Sequence, residues 1–269
     1  MRKWLLAGAA LLAAGGLFIA GCGGGAPAAS SSSAKQIHVV THANWNPFEY
    51  LKEGKIVGFD IDLINEAAKR AGLSTEITDA GWEAIFEQIR NHSADAAISG
   101  ITITDERKQS YLFSKPYFIS RQAIIVPEGS DVKSAKDLLN GKTVAVQNGS
   151  TGQIALEKLM GTNNPSIKKT PMSIQMIIGG QVDAHVGDET SLKSIQAQYP
   201  AQHLKIIYDD EAFTPEYFGI LYPKDKGAEL QGKLDKALAE IVKDGTYAKL
   251  YEKWFKTKPA DDILQKLGK

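Results

Sequence analysis

From Gln36 onward the chain alternates short apolar runs with longer amphipathic segments, and this order constrains the fold more than any other feature. The run "QIHVVT" predicts a strand. The next segment, "GFDIDLINEAAKRAG", predicts a helix, because small and branched apolar residues recur in it at helical spacing. We expect Asp60 to cap the start of this helix and Gly72 to end it.

The alternation continues to the end of the chain. Helices are predicted in "GWEAIFEQIRN" and at about 228–244 and 246–255, and strands in "SADAAISG", "QAIIVP" and "YFGILYP". The segment "GKTVAVQNGSTGQIALEKLMG" predicts strand, Gly-rich loop and helix, and "SIQMIIGGQVDAHVGDETSLKSIQAQ" predicts helix, strand and helix. Alternating strands and helices are typical of an α/β protein with mostly parallel sheets.

The N-terminus precedes this pattern and has another composition. Arg2 and Lys3 are followed by an apolar run that is too short for a confident membrane span, and then by "IAGC", which ends at Cys22. We therefore predict a signal peptide over residues 1–22, whose small-residue end resembles a bacterial lipobox with Cys22 as the lipidated residue. The Gly/Ala/Ser-rich stretch 23–35 is predicted to be a flexible tether. Cys22 is the only cysteine, so no intrachain disulfide forms.

Composition excludes several function classes. When the two basic residues of the signal are removed from the 31 Lys and Arg, 29 remain against 31 Asp and Glu. A net charge near −2 gives no reason to expect a nucleic-acid partner or a lipid-binding surface patch. An apolar content of 43% and a charged content of 23% are ordinary for a soluble globular protein.

Four loops follow predicted strands, where ligands bind in open α/β sheets. They are "THANWNPFEY", "SGITITDER", "QNGSTG" and "VGDET". The third is Gly-rich and opens a helix, but Gln153 stands where a phosphate-binding P-loop needs a lysine. The loop can still offer backbone N–H groups to a smaller anion, such as a carboxylate.

Known catalytic and metal-binding motifs are not found. The chain has no G-x-S-x-G and no H-E-x-x-H, and its five histidines lack metal-ligand spacing. His185 falls inside a strand and is predicted to be structural. We expect no metal and no cofactor. An arginine, an aspartate, hydroxyl groups and aromatic residues remain at the strand ends, and these can bind a zwitterion without changing it.

Over nearly its whole length the mature chain resembles the bacterial extracellular solute-binding proteins for polar amino acids that supply ABC importers. The matching stretches include "ISGITITDERKQSYLFSKPYF", "GKTVAVQNGSTG", "VDAHVGDE" and "GTYAKLYEKWF". The resemblance implies a two-lobed periplasmic-binding-protein fold of type II with two crossing hinge strands. Lobe 1 would comprise 36–119 and 217–269, and lobe 2 would comprise 120–216. It also implies a monomer on the outer face of the cell membrane, anchored by lipid only, with permease subunits as partners.

The resemblance also implies the role of each site residue. Arg107 would bind the ligand's α-carboxylate, which suits a planar fork that cannot lose its charge. Asp188 would bind the α-ammonium. Further contacts would come from the Thr102 and Thr151 backbone N–H groups, the Gly100 carbonyl, the Thr102 hydroxyl, the Trp45 and Trp82 walls, and His42 and Gln147 at the side-chain tip.

Each of these residues also has a purely structural interpretation. Arg107 alone would be read as a solvated helix residue behind a threonine cap. Asp188 could be only a helix cap, since "GDET" begins a helix. Trp82 shares an apolar face with core residues, and His42 could be a neutral histidine at a strand end. The combination of motifs favours binding.

The identity of the amino acid stays open. Members that bind lysine or arginine usually carry an acidic residue where this chain has His42. A cationic tip would then be buried without an anionic partner, which is costly. We therefore expect glutamine, or another uncharged polar amino acid, to bind at least about tenfold more tightly than lysine or arginine at pH 7.5. Tight arginine binding would point to an unidentified carboxylate, with Glu49 as the candidate.

Two rival functions remain. A dehydratase branch resembles this fold, and Glu189 beside Asp188 is the candidate general acid for such an enzyme. Turnover of prephenate or arogenate would support it. The second rival is a sensory ligand-binding module, although the sequence contains no fused signalling domain. Receptor function without catalysis is the leading interpretation.

Overall fold

The computed structural model describes residues 34–267, which form a mixed α/β fold as predicted. The strands are β1 (Lys35–Thr41), β2 (Asn44–Trp45), β3 (Glu49–Lys52), β4 (Lys55–Val57), β5 (Leu73–Asp79), β6 (Ala96–Ala97), β7 (Tyr111–Phe113), β8 (Phe118–Ser120), β9 (Gln122–Pro127), β10 (Val144–Val146), β11 (Ile167–Lys169), β12 (Ala184–Asp188), β13 (Leu204–Ile207), β14 (Glu216–Phe218) and β15 (Leu221–Pro223). The helices are α1 (Phe59–Arg70), α2 (Trp82–Arg90), α3 (Asp105–Ser110), α4 (Thr151–Met160), α5 (Ser173–Ile178), α6 (Glu189–Gln198), α7 (Ala228–Lys243), α8 (Thr246–Phe255) and α9 (Asp261–Leu267).

The first sheet has the strand order β5-β1-β6-β15-β7. Strand β1 runs parallel to β5 and β6, whereas β15 pairs antiparallel with both β6 and β7, so β15 alone runs against the others. Its two faces carry separate apolar cores. One core is built around Leu63 and Ile64 of α1, and the other around Ile85 and Ile89 of α2. We call this sheet, with the helices packed on it, lobe 1.

The second sheet repeats the plan with the order β11-β10-β12-β9-β13. Strand β10 is parallel to β11 and β12, and β9 pairs antiparallel with its two neighbours. Strand β9 is fully buried except at Pro127, which ends it as predicted. Helices α4, α5 and α6 cover the faces of this sheet, and we call the assembly lobe 2.

Two short strands connect the lobes. Strands β8 and β14 pair antiparallel in a two-stranded sheet of their own, with Tyr217 opposite Ile119. Phe118 and Phe218 are buried there, and their rings stack with centroids 5.7 Å apart. These are the two crossing hinge strands of a type II binding-protein fold. The predicted residue limits of the lobes stay a prediction, because the described residues pack as one compact unit.

The predicted start of α1 is wrong in its detail. Gly58, not Asp60, is the residue before the first helical turn, and no side chain caps this end. Asp60 is fully buried and accepts hydrogen bonds from the Gly100 N–H and the Tyr117 hydroxyl instead. The predicted end is confirmed, since Gly72 has φ 72° just beyond Ala71.

Two predictions near the C-terminus also need correction. The expected late strand "YFGILYP" is two strands, because β14 belongs to the hinge and β15 to the lobe 1 sheet. At Gly219, between the two strands, an added Cβ would lie 2.9 Å from Ile103 side-chain atoms, so a larger residue would require the Ile103 side chain to shift. Helix α9 was not predicted, and its Leu267 is buried in the lobe 1 core.

The predicted signal peptide, Cys22 and nearly all of the tether lie outside the described residues. Strand β1 begins at Lys35, the last residue that the tether was predicted to include. Within residues 34–267, no helix combines the length and the apolar character needed to cross a membrane.

A close backbone approach before α1 gives a stability prediction. Gly58 has φ 147°, and a Cβ added to it would lie 1.9 Å from the Phe48 carbonyl oxygen. Gly58→Ala should therefore lower the free energy of unfolding by about 3 kcal/mol or more, measured by urea denaturation. The matched control is Gly54→Ala, with φ 75° and no atom within 4 Å of the added Cβ, which should cost only about 1–2 kcal/mol. Equal losses in both variants would contradict the steric argument.

Candidate functional site

A single cavity between the lobes collects all nine predicted site residues. Lobe 1 contributes His42, Trp45, Trp82, Gly100, Thr102 and Arg107, and lobe 2 contributes Gln147, Thr151 and Asp188. The cavity volume is about 80 Å³, several times the volume that one water molecule requires. Most of these residues converge because the loops that follow β1, β6, β10 and β12 begin at the carboxyl ends of these strands.

Arg107 reaches across the cavity. The Thr104 hydroxyl caps α3 by accepting from the Arg107 backbone N–H, as the sequence indicated. Its guanidinium donates through Nη1 to the Thr102 carbonyl at 2.9 Å and through Nη2 to the Gly149 carbonyl of lobe 2 at 3.0 Å. Burial lowers the pKa of Arg107 to about 10, so the group stays charged at neutral pH. It is therefore not a solvated surface arginine.

Trp82 belongs to both the core and the cavity. It packs edge-on against Phe86 with centroids 5.2 Å apart, next to the lobe 1 core, and it also lines the cavity. The guanidinium carbon of Arg107 lies 5.6 Å from the Trp82 ring and 5.2 Å from the Phe86 ring. These rings hold the cation by cation–π attraction. Trp82 thus packs next to the core and also lines the cavity, and its contact with a ligand stays a prediction.

The ring of Trp45 packs closely against Gly100 in the loop after β6. A Cβ at Gly100 would lie 1.8 Å from Trp45 Cζ3, and Gly100 has φ 53°, so both space and conformation require glycine. Trp45 also stacks on Phe48, with ring centroids 4.8 Å apart. The indole is thereby fixed as one wall of the cavity.

The polar residues predicted for the side-chain tip also lie in the lining. The His42 N–H donates to Ser99 Oγ at 3.1 Å, and among the described residues His42 Nδ1 has no hydrogen-bond partner. Burial lowers the pKa of His42, so the imidazole is neutral at pH 7. Gln147 follows β10 and faces the same space. His185, predicted to be structural, is buried with Nδ1 3.1 Å from the Ala145 carbonyl oxygen, and burial lowers its pKa to about 4.

Asp188 is both a helix cap and a cavity residue. Its Oδ1 accepts from the N–H groups of Thr190 at 2.9 Å and Ser191 at 3.2 Å, and its other oxygen accepts from the Ser120 hydroxyl. Burial raises the pKa of Asp188 to about 7, and the negative charge of Glu216 raises it further. The three hydrogen bonds act in the opposite direction and lower the pKa. The carboxylate has no cationic partner among the described residues, which leaves it able to accept one from a ligand.

Glu216, at the start of hinge strand β14, was not predicted to take part in the site. Its Oε2 accepts from the hydroxyls of Thr102 and Thr151, both at 2.8 Å, and from Gln122 Nε2 at 3.1 Å. Thr102 belongs to lobe 1, whereas Thr151 and Gln122 belong to lobe 2. Glu216 therefore joins the two lobes at the base of the cavity. No local pattern in the sequence indicates this role, because only the hinge pairing brings position 216 to this place.

Glu49 is the second residue missing from the predicted set, although the sequence analysis named it as a candidate carboxylate. It begins β3, is fully buried and lines the cavity beside His42 and Ser99. Its Oε1 accepts from the Ser99 hydroxyl at 2.8 Å. Burial raises its pKa well above the usual range, and the neighbouring Asp60 carboxylate adds to this effect.

The sequence predicts a metal-free site, and the dehydratase hypothesis names one residue as its general acid. Residues 34–267 contain no cluster of three His, Cys, Asp or Glu side chains that could hold a metal ion. Glu189, the candidate general acid of the dehydratase hypothesis, does not line the cavity. Its carboxylate lies 3.5 Å from Arg121 Nε and 3.3 Å from Lys193 Nζ.

The protein has two α/β lobes joined by crossing strands. Its cleft has a cationic group on one side and an anionic group on the other. This arrangement defines a ligand-binding protein of the two-lobed class. Residues 37–257 match the family of bacterial extracellular solute-binding proteins, family 3. The chain belongs to this family.

Individual relatives agree with this assignment. A probable histidine-binding protein of Neisseria gonorrhoeae is 36% identical over 95% of this chain and 96% of its own length. An arginine-binding extracellular protein of Bacillus subtilis is 31% identical over 95% of this chain and 98% of its own length. The crystal structure of the arginine-, lysine-, histidine-binding protein ArtJ from Geobacillus stearothermophilus is 45% identical, covers 86% of this chain and 100% of its own, and has a TM-score of 0.82.

The raised pKa of Asp188 gives a pH-dependent prediction. A carboxyl group whose pKa is raised by folding contributes stability at low pH that is lost as the pH rises through about 7. Asp188→Asn keeps a good capping residue without the buried charge. It should melt roughly 3 °C or more above the wild type at pH 8.5, and the difference should shrink toward pH 5, measured by thermal unfolding.

The matched control is Asp183→Asn, at the residue immediately before β12. Asp183 accepts from the Thr143 N–H and hydroxyl, both at 2.7 Å, which lower its pKa. This substitution should therefore destabilise the protein at pH 8.5. A lower melting temperature for Asp188→Asn at both pH values would contradict the role of burial.

Proposed function

We propose that this protein is an extracellular receptor that binds a polar L-amino acid between its lobes and delivers it to an ABC-type importer. The observation that carries the proposal is the placement of Arg107 and Asp188 on opposite lobes of one cavity, each without an ion-pair partner among the described residues. A zwitterion has the two complementary charges. The named relatives are amino-acid-binding proteins.

Arg107 is equipped to bind the α-carboxylate. A guanidinium carries five N–H donors, and the carbonyls of Thr102 and Gly149 occupy two of them. Three donors remain, enough for a bidentate contact with a carboxylate. The backbone N–H groups of Thr102 and Thr151 contribute further donors, and the N–H groups in the first turn of α4 have no intrahelical acceptor.

Asp188 and the hydroxyl of Thr102 are equipped to bind the α-ammonium. The Thr102 hydroxyl donates its hydrogen to Glu216, so its oxygen lone pairs are left to accept from a ligand N–H. The Gly100 carbonyl is the third acceptor. Because Arg107 belongs to lobe 1 and Asp188 to lobe 2, a zwitterion that contacts both binds the closed arrangement more tightly than the open one and shifts the protein toward closure.

Glu49 changes the expectation for the ligand side chain. The ranking of glutamine above arginine and lysine rested on the lack of an anionic partner near His42, and the structure places a buried carboxyl group in this part of the lining. We therefore propose that basic amino acids bind as well as glutamine-like ones. The relatives named for histidine, arginine and lysine binding support this extension.

A thermal-shift screen against the twenty amino acids tests the receptor function. A ligand present at 100 times its Kd stabilises the folded state by about 2.7 kcal/mol, which corresponds to a rise of roughly 5–10 °C in Tm. We expect such rises for polar or basic L-amino acids and none for their D-enantiomers. No rise with any of them would contradict the proposal.

Arg107 can be tested directly. Arg107→Ala should weaken binding by about 2–5 kcal/mol while the protein stays folded, because a desolvated carboxylate loses its charged partner. Arg107→Lys should also lose much of the affinity, since a point charge cannot replace the fork. The control is Arg90→Ala on the exposed face of α2, which should bind as the wild type does. Calorimetry that shows near wild-type affinity for either Arg107 variant would assign this residue to structure.

Lipid anchoring through Cys22 is the second part of the proposal. The sequence of the first 22 residues supports a signal peptide with a lipobox and a receptor held at the outer face of the membrane. Cys22→Ala should release the protein from the membrane fraction without changing its affinity for ligand. If this variant still sediments fully with membranes, the lipobox interpretation is wrong.

We propose that the protein acts as a monomer and is not an enzyme. The pairing of Glu189 with Arg121 and Lys193 leaves the dehydratase hypothesis without its general acid in the cavity. Incubation with prephenate and arogenate, followed by product analysis, should show no turnover. A sensory role would require a partner other than a permease, and co-purification of permease subunits with the lipidated protein distinguishes the two.

A further inference from the structure

A pair of buried carboxyl groups lies under the lobe 1 side of the cavity and has no part in binding the zwitterion. Glu49 begins β3, and Asp60 lies in the first turn of α1. Both side chains are fully buried, and the two groups are within hydrogen-bonding reach of each other. Neither forms a salt bridge with a cation among the described residues.

Each of the two carboxyl groups has one oxygen that accepts a hydrogen bond and one oxygen that has no donor among the described residues. Glu49 Oε1 accepts from Ser99, and Asp60 Oδ2 accepts from the Gly100 N–H at 2.9 Å and the Tyr117 hydroxyl at 2.7 Å. The remaining oxygens, Glu49 Oε2 and Asp60 Oδ1, have no partner among the N–H and O–H groups of the described residues. Two buried acceptors without donors are costly, and two adjacent carboxylates without a cation are more so.

One proton between these two oxygens satisfies both. We propose that Glu49 and Asp60 share a single proton in the ligand-free protein, and that a cationic ligand side chain displaces this proton whereas a neutral one leaves it in place. The second half of the inference rests on the proposed amino-acid-binding function. The pair then carries one negative charge with the proton and two without it, so its charge adjusts to that of the ligand.

The titratable groups packed around the pair do not exchange protons near neutral pH, and Asp188, whose pKa is about 7, lies on the lobe 2 side of the cavity. Tyr117 and Tyr247 are buried with raised pKa values and stay protonated. His42 is neutral because burial lowers its pKa. Asp79, at the end of β5, accepts from the Ala43 and Gly81 N–H groups and adds negative charge to the surroundings.

The direction of the pKa shifts is consistent with a shared proton. Burial is the largest cause for both groups, and it raises the pKa of Glu49 well above its usual range and that of Asp60 to about 7. The hydrogen bond between the carboxyl groups raises the pKa of Glu49 and lowers that of Asp60. The proton therefore belongs to the pair of carboxyl groups, whose oxygens Glu49 Oε2 and Asp60 Oδ1 have no other donor among the described residues.

The coupling to ligand charge follows from position. Glu49 lines the cavity next to His42 and Ser99, whereas Asp60 lies behind it and is not part of the lining. A guanidinium or ammonium tip near Glu49 stabilises the ionised form and drives the proton to the solvent. An amide tip carries no charge and has no such effect. The affinity for a basic amino acid, relative to glutamine, should then rise up to about tenfold per pH unit.

Infrared spectroscopy tests the shared proton without any ligand. At pH 7.5 the wild type should show the carbonyl stretch of a protonated carboxyl group, and this band should be weaker in Glu49→Gln, which keeps only the contribution of the partly protonated Asp188. The glutamine amide can donate to Asp60 in place of the proton, so this variant is expected to fold. Asp60→Asn is a second variant that should also remove the shared proton. An identical carboxyl region in the wild type and both variants would overturn the inference.

Calorimetry in buffers of different ionisation enthalpy tests the coupling. At pH 7.5 arginine should release close to one more proton than glutamine does. Asp188 meets the same ammonium in both ligands, so its titration cancels in this difference. Glu49→Gln should abolish the difference, whereas His42→Asn should retain it. Equal proton release for the two ligands would overturn the coupling, as would failure of arginine to bind between pH 6.5 and 8.5 while glutamine binds.

Failure of the receptor function gives a different result. If no amino acid binds at any pH, the proposed function is wrong, but the infrared comparison still decides whether the two carboxyl groups share a proton. If arginine binds without extra proton release, the receptor function stands and the coupling falls.

Discussion

The antiparallel pairing of β8 with β14 is the constraint on which the site depends. These hinge strands carry the chain between the sheets in both directions, and Phe118 and Phe218 bury their rings at the crossing. The same pairing holds the loop after β6, because Thr102 bridges to Phe218 and the Ile103 N–H donates to the Tyr217 carbonyl at 2.7 Å. With the hinge fixed in this way, the strand ends of both sheets open onto one cavity.

Glu216 shows how a hinge residue can set the polarity of a binding site. By accepting the hydroxyl hydrogens of Thr102 and Thr151, it turns both hydroxyls into acceptors on the side of the cavity. Its charge also raises the pKa of Asp188 and opposes the effect of burial on Arg107. Glu216 does not line the cavity, but through the two threonine hydroxyls it favours the binding of an ammonium group there.

The sequence predicted the local features of the site better than the contacts between residues that are far apart in the chain. The Thr104 cap of the helix that carries Arg107, the glycine after α1 and the strand end that carries Asp188 are short-range features, and spacing and residue type specify them. Asp60 looked like a cap because it stands at a helix start, but its partners Gly100 and Tyr117 are distant in sequence. Glu49 and Glu216 reach the site through tertiary packing alone, which no local pattern encodes.

The buried carboxyl groups link the stability of the protein to its ligand. Asp188, Glu49 and Asp60 are all buried away from cations, and burial is the largest cause of the raised pKa of each. An apolar lining would make the free protein more stable, but it would give the ligand's charges nothing to neutralise. Any positive group that enters the cavity relieves a cost already present in the free protein. The binding free energy therefore includes the relief of charge burial as well as the new contacts, and that relief depends on how many protons the carboxyl groups hold before the ligand arrives.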